Sequence, residues 1–300
     1  MPPTIEVDDL RKWYGDVHAV DGVSFAVETG EFFGILGPNG AGKTTTLELI
    51  EGLREADSGE IRVFGEKPWP RNAKLLPRIG VQLQASAFFE RLTAREQIRT
   101  FASLYGVPPK KADEWLGVVG LEDMADKRHE QLSGGQQQRL SIACALAHSP
   151  DLVYLDEPTS GLDPQARRNL WELLRGINDQ GRTVVLTTHY LDEAESLCDR
   201  VAIMDHGKIL ELGPPASLVR DLDAPTRISI ETGTISIEDA KALAADADVS
   251  DDEVSLTIAT RTPAPVLSGL AERDALRGLS VRGGTLEDVF LNLTGREYRA

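Results

Sequence analysis

The sequence predicts an α/β protein built on a parallel sheet covered on both faces, with an antiparallel β edge, a helical insert and a small α+β domain at the C-terminal end. Three observations carry that expectation. The runs FFGILG (32–37), LVYLDEP (152–158) and VVLTTH (184–189) are hydrophobic throughout rather than alternating, as strands buried on both faces are. Helical patterns follow them, TTTLELIEGL after the first and QARRNLWELLRGINDQG between the other two, and strand–helix–strand alternation indicates parallel pairing. After Gly213-Pro214-Pro215 the texture changes to short strand and helix patterns, which marks a second domain.

Between Ile5 and Val27, IEVDDL and VSFAV read as two strands separated by the polar RKWYGDVHAVDG, and should form the antiparallel edge. FFGILG then meets a glycine-rich turn and a helix. From Leu92 to His148 the patterns TAREQIRTFASLYG, KKADEWLGVVG and GGQQQRLSIACALAH are helical, with a break at Pro108-Pro109, so a helical insert is expected over about residues 85–148. VAIMDHGKILELG reads as a hairpin turning at Asp205, His206 and Gly207. The larger domain is expected over residues 1–221. The smaller, over 222–300, reads β-α-β-α-β-α from RISIETG to TLEDVFLNLTG. No internal repeat or low-complexity tract interrupts this order.

Composition narrows the role. Three hundred residues suit about two domains, and 41% hydrophobic content is enough for a core. The two cysteines, Cys144 and Cys198, lie far apart with no CxxC spacing, so neither a disulfide framework nor a zinc site is indicated and a reducing cytosol fits. The N-terminus MPPTIEVDDLRKW has acids where a secretory signal needs an apolar run. No stretch approaches the roughly 18 apolar residues of a spanning helix. The chain is therefore expected to reach a membrane only through a partner. Its formal net charge of -16 repels anionic lipid headgroups and phosphate backbones alike, which argues against nucleic acid as a partner.

The chemistry begins at GPNGAGKT, Gly37 to Thr44, which fits GxxxxGK(S/T) between a buried strand and a helix. Glycines let successive backbone N–H groups converge on phosphate oxygens, and the positive helix start favours the anion. Gly37, Pro38, Asn39, Gly40, Ala41 and Gly42 thus form a phosphate cradle continued by Lys43, Thr44 and Thr45. Lys43 supplies charge for the β- and γ-phosphates of ATP, and Thr44 a hydroxyl for Mg²⁺. This is the signature of a P-loop NTPase; the GxGxxG spacing of dinucleotide folds is absent. LVYLDEP ends its strand in Asp156 and Glu157, where open α/β sheets place their ligands. Asp156 is the candidate Mg²⁺ partner and Glu157 the base that orients and deprotonates water. LSGGQ, Leu132 to Gln136, sets Ser133 at the N-cap of a helix opened by Gly134 and Gly135, a second anion site.

With these motifs in this order, and with a glutamine in GVQLQ, SGLD and TTH beside them, residues 4 to 215 resemble the nucleotide-binding subunits of ABC ATPases. That resemblance implies an ABC-type helical insert and further roles. Gln84 would sense Mg²⁺ and the γ-phosphate while linking to the insert. Ser133, Gly134, Gly135 and Gln136 would meet the γ-phosphate of ATP held by an opposite subunit, and Asp163 would communicate across the dimer. His189 would contact the γ-phosphate and hold Glu157 and water. Tyr14 would stack on adenine, with Trp13 the near alternative; His18 and His129 are expected to be surface residues. Each site then needs two chains, so a two-fold homodimer with both sites competent is expected.

The ending TLEDVFLNLTGRE, Thr285 to Glu297, resembles that of drug-resistance-type ABC exporters, whose permease is a separate chain. By its own pattern it is an amphipathic helix with Leu286, Val289, Phe290 and Leu293 facing the small domain. That domain is expected to regulate or to stabilise the dimer. Phe88 and Phe89, in FFERLTARE, are the candidates for contact with a coupling helix of the permease. The expected setting is the cytoplasmic face of the membrane. Importer ATPases and soluble ABC ATPases acting on ribosomes or DNA stay open as alternatives, the latter disfavoured by the single cassette, the lack of heptads and the acidity.

Overall fold

The computed structural model describes residues 2–82, 88–243, 247–252 and 254–295. The chain divides into two compact units, one running to Pro215 and one beginning at Ala216.

In the larger unit, β1 (Ile5–Tyr14) pairs antiparallel with β2 (Val17–Val27) on one side and β4 (Ser58–Val63) on the other. β4 has no counterpart among the expected strands, because only Ile61 and Val63 turn inward and its first three residues are exposed. That is too short an alternation to stand out. A six-stranded sheet runs in the order β5-β6-β7-β3-β8-β9, with β3 (Phe32–Leu36), β5 (Ile79–Gln82), β6 (Leu152–Asp156), β7 (Thr183–Thr188), β8 (Arg200–Asp205) and β9 (Lys208–Gly213). Pairing is parallel from β5 to β8. The antiparallel hairpin β8–β9 closes the sheet, its turn residues His206 and Gly207 at φ 46° and 75°, the conformation two-residue hairpins require.

Every residue of β3, β6 and β7 is buried, which explains why their sequences do not alternate. The core joins both sheets: Ile5, Leu10 and Phe25 meet Phe33, Ile35, Tyr154 and Val185, with Leu47, Leu49 and Ile50 of α1 (Lys43–Ile50). The rings of Phe25 and Phe33 stack at 5.2 Å. β3, β6 and β7 are neighbours in this sheet, so the loops after all three emerge at one edge.

The insert comprises α2 (Ala94–Ser103), α3 (Pro109–Val118) and α4 (Gly134–Leu146). Thr93 with Glu96, and Ser133 with Gln136, open α2 and α4 as capping boxes. Arg99 and Arg95 both reach Asp113, at 2.6 and 3.2 Å, tying α2 to α3. α5 (Pro164–Asn178) and α6 (Leu191–Leu197) complete the unit. Among the described residues no helix is long and apolar enough to cross a membrane.

The boundary falls before the expected residue 222: α7 (Pro215–Asp221) belongs from Ala216 onward to the smaller unit. There β10 (Thr226–Glu231), α8 (Ile237–Lys241), β11 (Asp248–Asp251), β12 (Ser255–Thr260), α9 (Pro263–Glu272), β13 (Ser280–Arg282) and α10 (Leu286–Thr294) follow. β11 is an addition to the expected pattern, hidden because DVSD offers only Val249 as a β-former. The sheet is antiparallel throughout, ordered β11-β12-β10-β13. Its β-α-β-β-α-β path is that of a ferredoxin-like unit, with Ile228, Ile230, Leu256, Ile258, Val266 and Leu270 as core. Leu286, Val289 and Phe290 are buried on α10, while Leu293 is half-buried and Glu297 lies outside the described residues.

Candidate active site

Between the end of β3 at Leu36 and the start of α1 at Lys43, the chain makes the glycine turn. A Cβ on Gly37 would lie 2.2 Å from the carbonyl oxygen of Met204, and one on Gly42 2.1 Å from that of Ala19. No side chain fits at either position. Gly42 also takes φ 102° as it leads into α1, a left-handed conformation open to glycine. The first-turn N–H groups of α1 have no intrahelical acceptors, so with the positive helix end they make an anion site. Beside it is a cleft of about 540 Å³, lined by Tyr14, Val17, His18, Ala19, Asn39, Gly40, Gly42, Lys43, Thr44, Thr45, Glu157 and His206. That size and mixed lining suit a nucleotide.

Two buried polar chains meet behind the cradle. In the first, Lys43 Nζ lies 3.2 Å from Glu157 Oε1 and donates to the Pro38 carbonyl at 3.2 Å. His189 Nδ1 lies 3.1 Å from the other Glu157 oxygen. In the second, Thr44 Oγ1 and Thr187 Oγ1 donate to Asp156 Oδ1 at 3.2 and 2.5 Å. The Thr187 hydroxyl also accepts from the Glu157 N–H at 3.0 Å, locking the two acids together. Burial pushes the Asp156 carboxyl above the usual range, opposed by the hydrogen bonds from Thr187 and Thr44. Lys43 and Glu157 are 4% and 8% exposed, and buried charges persist where they are paired. Glu157 sits just past β6 at φ 44°, and this turn separates its direction from that of Asp156.

Thr187 is missing from the expected site, although its signal is present. It is the first threonine of TTH, and in the β6–β7 register it lies opposite Asp156. The two histidines expected at the surface differ: His18 is exposed and His129 only partly so. His18 lines the mouth of the cleft, and His129 is half-buried with its ring 5.4 Å from that of Phe88. Tyr14 faces the cleft, while Trp13 is not among the described residues lining it; the Trp13 ring lies 5.5 Å from that of His18 and the Trp13 backbone N–H donates to Asp57.

Ser133, Gly134, Gly135 and Gln136 are elsewhere, at the start of α4, and none is among the described residues lining this cleft. There the Ser133 hydroxyl accepts from the Gln136 N–H at 3.3 Å and the Gln136 side chain accepts from the Ser133 N–H at 2.9 Å. Asp163 caps α5, accepting from the N–H groups of Gln165 and Ala166 at 3.0 and 2.9 Å. Gln84 lies outside the described residues; Gln82 is buried at the end of β5. Phe88 is half-buried and Phe89 is exposed.

Thr44 Oγ1 and Asp156 Oδ1 are hard oxygen donors side by side. They fit Mg²⁺, which takes one or two protein oxygens and completes its shell with phosphate and water. Among the described residues no group of three or more His, Cys, Asp or Glu is arranged to hold a metal ion.

The family described as ABC transporter matches residues 20–160. The chain is 39% identical to the linearmycin resistance ATP-binding protein LnrL of Bacillus subtilis, covering 98% of this chain and 99% of that one. It is 41% identical to the Nod factor export ATP-binding protein I of Paraburkholderia xenovorans, covering 98% of each. Among solved structures, an ATP-binding subunit of an ABC transporter matches at TM-score 0.65 and 30% identity, over 73% of this chain and 92% of that one. A dimeric ATP-binding cassette in a post-hydrolysis state with ADP and phosphate matches at TM-score 0.63 and 30% identity, over 70% and 98%.

Proposed function

The chain belongs to the ABC transporter ATP-binding proteins, as their ATP-hydrolysing subunit, and from that premise we propose that it works as a homodimer driving export through a separate membrane permease. The observation that carries the catalytic part is the buried chain Lys43–Glu157–His189 beside the Thr44–Asp156–Thr187 cluster. Lys43 binds the β- and γ-phosphates, exchanging Glu157 for phosphate oxygen. Thr44 and Asp156 hold Mg²⁺, which when bound neutralises phosphate charge. Glu157 orients the attacking water and accepts its proton. His189 fixes the Glu157 carboxylate and the γ-phosphate side, and Gln84 serves the same side. Tyr14 stacks on the adenine.

Ser133, Gly134, Gly135 and Gln136 supply the opposite edge for ATP bound by a second copy, and Asp163 communicates across that interface. This is supported by their absence from the chain's own cleft and by the dimeric neighbour with ADP and phosphate. Export is supported by relatives named for resistance and export that match across almost the whole chain, smaller unit included. Phe88 and Phe89 take part in docking to the permease, which holds the chain at the cytoplasmic face of the membrane. The smaller unit regulates or stabilises the dimer; its Leu279 and Val281, at and beside β13, are exposed apolar residues suited to such contact. The test is Glu157→Gln: ATP binding persists while steady-state hydrolysis collapses. Hydrolysis near the wild-type rate would assign the base elsewhere.

A further inference from the structure

Past the end of β7 the chain turns from Thr188 through His189 and Tyr190 into α6. His189 lies 3.1 Å from Glu157, on a short connection between strand and helix. A side chain so placed is free to turn about its own torsions, and holding it in one rotamer takes packing from its neighbours. Two residues supply that packing. The rings of His189 and Tyr190 meet at 4.1 Å between centroids, inclined at 44°. The Tyr190 ring in turn carries the guanidinium of Arg167, from α5, 3.8 Å from its centroid. The Tyr190 N–H donates to the Thr188 hydroxyl at 2.9 Å, which fixes the turn between them.

The placing of Arg167 favours the ring over its other neighbours. Its side chain is 18% exposed, and its Nε has no hydrogen-bond acceptor among the described residues. Its ion pair with Asp192 spans 3.7 Å to a carboxylate that is 62% exposed, and such a pair contributes little in water. The half-buried ring is the better-shielded partner, and a desolvated guanidinium over an aromatic face is the stronger form of cation–π contact. Trp171, four residues on, shares this face of α5. Its Nε1 donates at 3.0 Å to Glu193 of α6, a fully buried acid. Burial holds the Glu193 carboxyl above the usual range, opposed by Thr188, Thr159, Trp171 and the charge of Arg167. α5 is thus pinned to the segment after β7 at two points, Tyr190 and Glu193.

We propose that Tyr190 and Arg167 are positioning residues for hydrolysis: the guanidinium clamps the Tyr190 ring, and the ring sets His189 against Glu157. The inference rests on the hydrolytic reading of Glu157 and His189 above and extends it to α5. Neither Tyr190 nor Arg167 is among the described residues lining the nucleotide cleft. Their effect therefore runs through His189, on turnover rather than on nucleotide affinity.

The test is a double-mutant cycle on the full chain, read by steady-state kcat and KM and by single-turnover hydrolysis of radiolabelled ATP, which follows very slow rates. Tyr190→Leu keeps bulk and removes the ring, whereas Arg167→Met keeps the stem and removes the charge. Tyr190→Leu should lower kcat on the order of tenfold and Arg167→Met by about three- to tenfold, with KM for ATP changed less than about twofold, since small misplacements near reacting atoms are costly. Tyr190→Phe, which keeps the ring, should restore turnover. In a His189→Ala background neither Tyr190→Leu nor Arg167→Met should cost anything further, because the group they place is gone. Arg167→Met leaves the ring in place, so it carries the test even where Tyr190→Leu folds poorly. Losses of equal size in both backgrounds would make the stack a clamp for the fold alone and overturn the proposal. So would wild-type turnover in Arg167→Met, a loss confined to KM, or a Tyr190→Phe protein as slow as Tyr190→Leu. Wild-type hydrolysis by His189→Ala itself would remove the hydrolytic reading of that residue, and this inference with it.

Discussion

The two ends of helix α1 treat buried ionisable groups in opposite ways. At its start, Lys43 is answered by Glu157, Glu157 by His189, and Asp156 by Thr44 and Thr187. Just past its end, Glu51 is buried in a mainly apolar hollow, with neither oxygen hydrogen-bonded among the described residues. The first arrangement is complete within one chain and can exchange its internal partners for a triphosphate without exposing a bare charge. The second has no such partner among the described residues. A buried ionic network can thus be poised for chemistry, whereas a lone buried acid burdens the fold.

That contrast can be broken at either end. The largest effect belongs to Glu157→Gln, which should lower turnover by about 10²–10⁴ while ATP still binds, as loss of a general base does; single-turnover and steady-state ATPase assays read it. Lys43→Ala should act on binding itself, weakening ATP on the order of 10–100-fold as a charge-assisted contact is lost. Unchanged affinity by calorimetry would move the phosphates elsewhere. Tyr14→Ala should cost roughly 1–3 kcal/mol of nucleotide affinity if adenine stacks there, whereas Trp13→Ala, outside the described lining of the cleft, should change it little. Equal losses from both would blur the distinction between them.

The smallest effect falls at the other end and has the opposite sign. Glu51 titrates at about 9 in the folded chain against 4.5 when unfolded. Folding is therefore unburdened below about pH 4.5, where both states are protonated, and stability is lost as pH rises towards 9. Glu51→Gln escapes that loss. It should be more stable to unfolding than wild type by about 1–3 kcal/mol near pH 8, with the gain growing from pH 4.5 to 9 and levelling beyond. A gain independent of pH, or a loss of stability, would mean that the carboxyl has a partner in the folded chain.

Much of the larger unit is legible in the residues because its rules are local. Uniformly apolar strands, a glycine turn before a helix and a Ser or Thr three residues before Gln or Glu each state their own conformation. Elements that depend on distant partners are harder to read. β4 and β11 have one or two inward residues each and exist because β1 and β12 offer them a ladder. Thr187 becomes a site residue through a strand register that a single sequence does not display. His18 reaches the cleft because the turn between β1 and β2 brings it beside Asn39 and Gly40. The burial of Glu51 had no signal, since Ile-Glu-Gly at a helix end reads as an ordinary exposed acid.

The central claim is that ATP is enclosed between Lys43 of one copy and Ser133 of another. It is tested most directly by light scattering of purified Glu157→Gln titrated with Mg-ATP, with Ser133→Arg in the same background as the control. The account predicts a mass that doubles as ATP saturates, and a Ser133→Arg protein that binds ATP yet stays monomeric. Saturation by ATP with no change in mass, or doubling that ignores the Ser133 substitution, would contradict it.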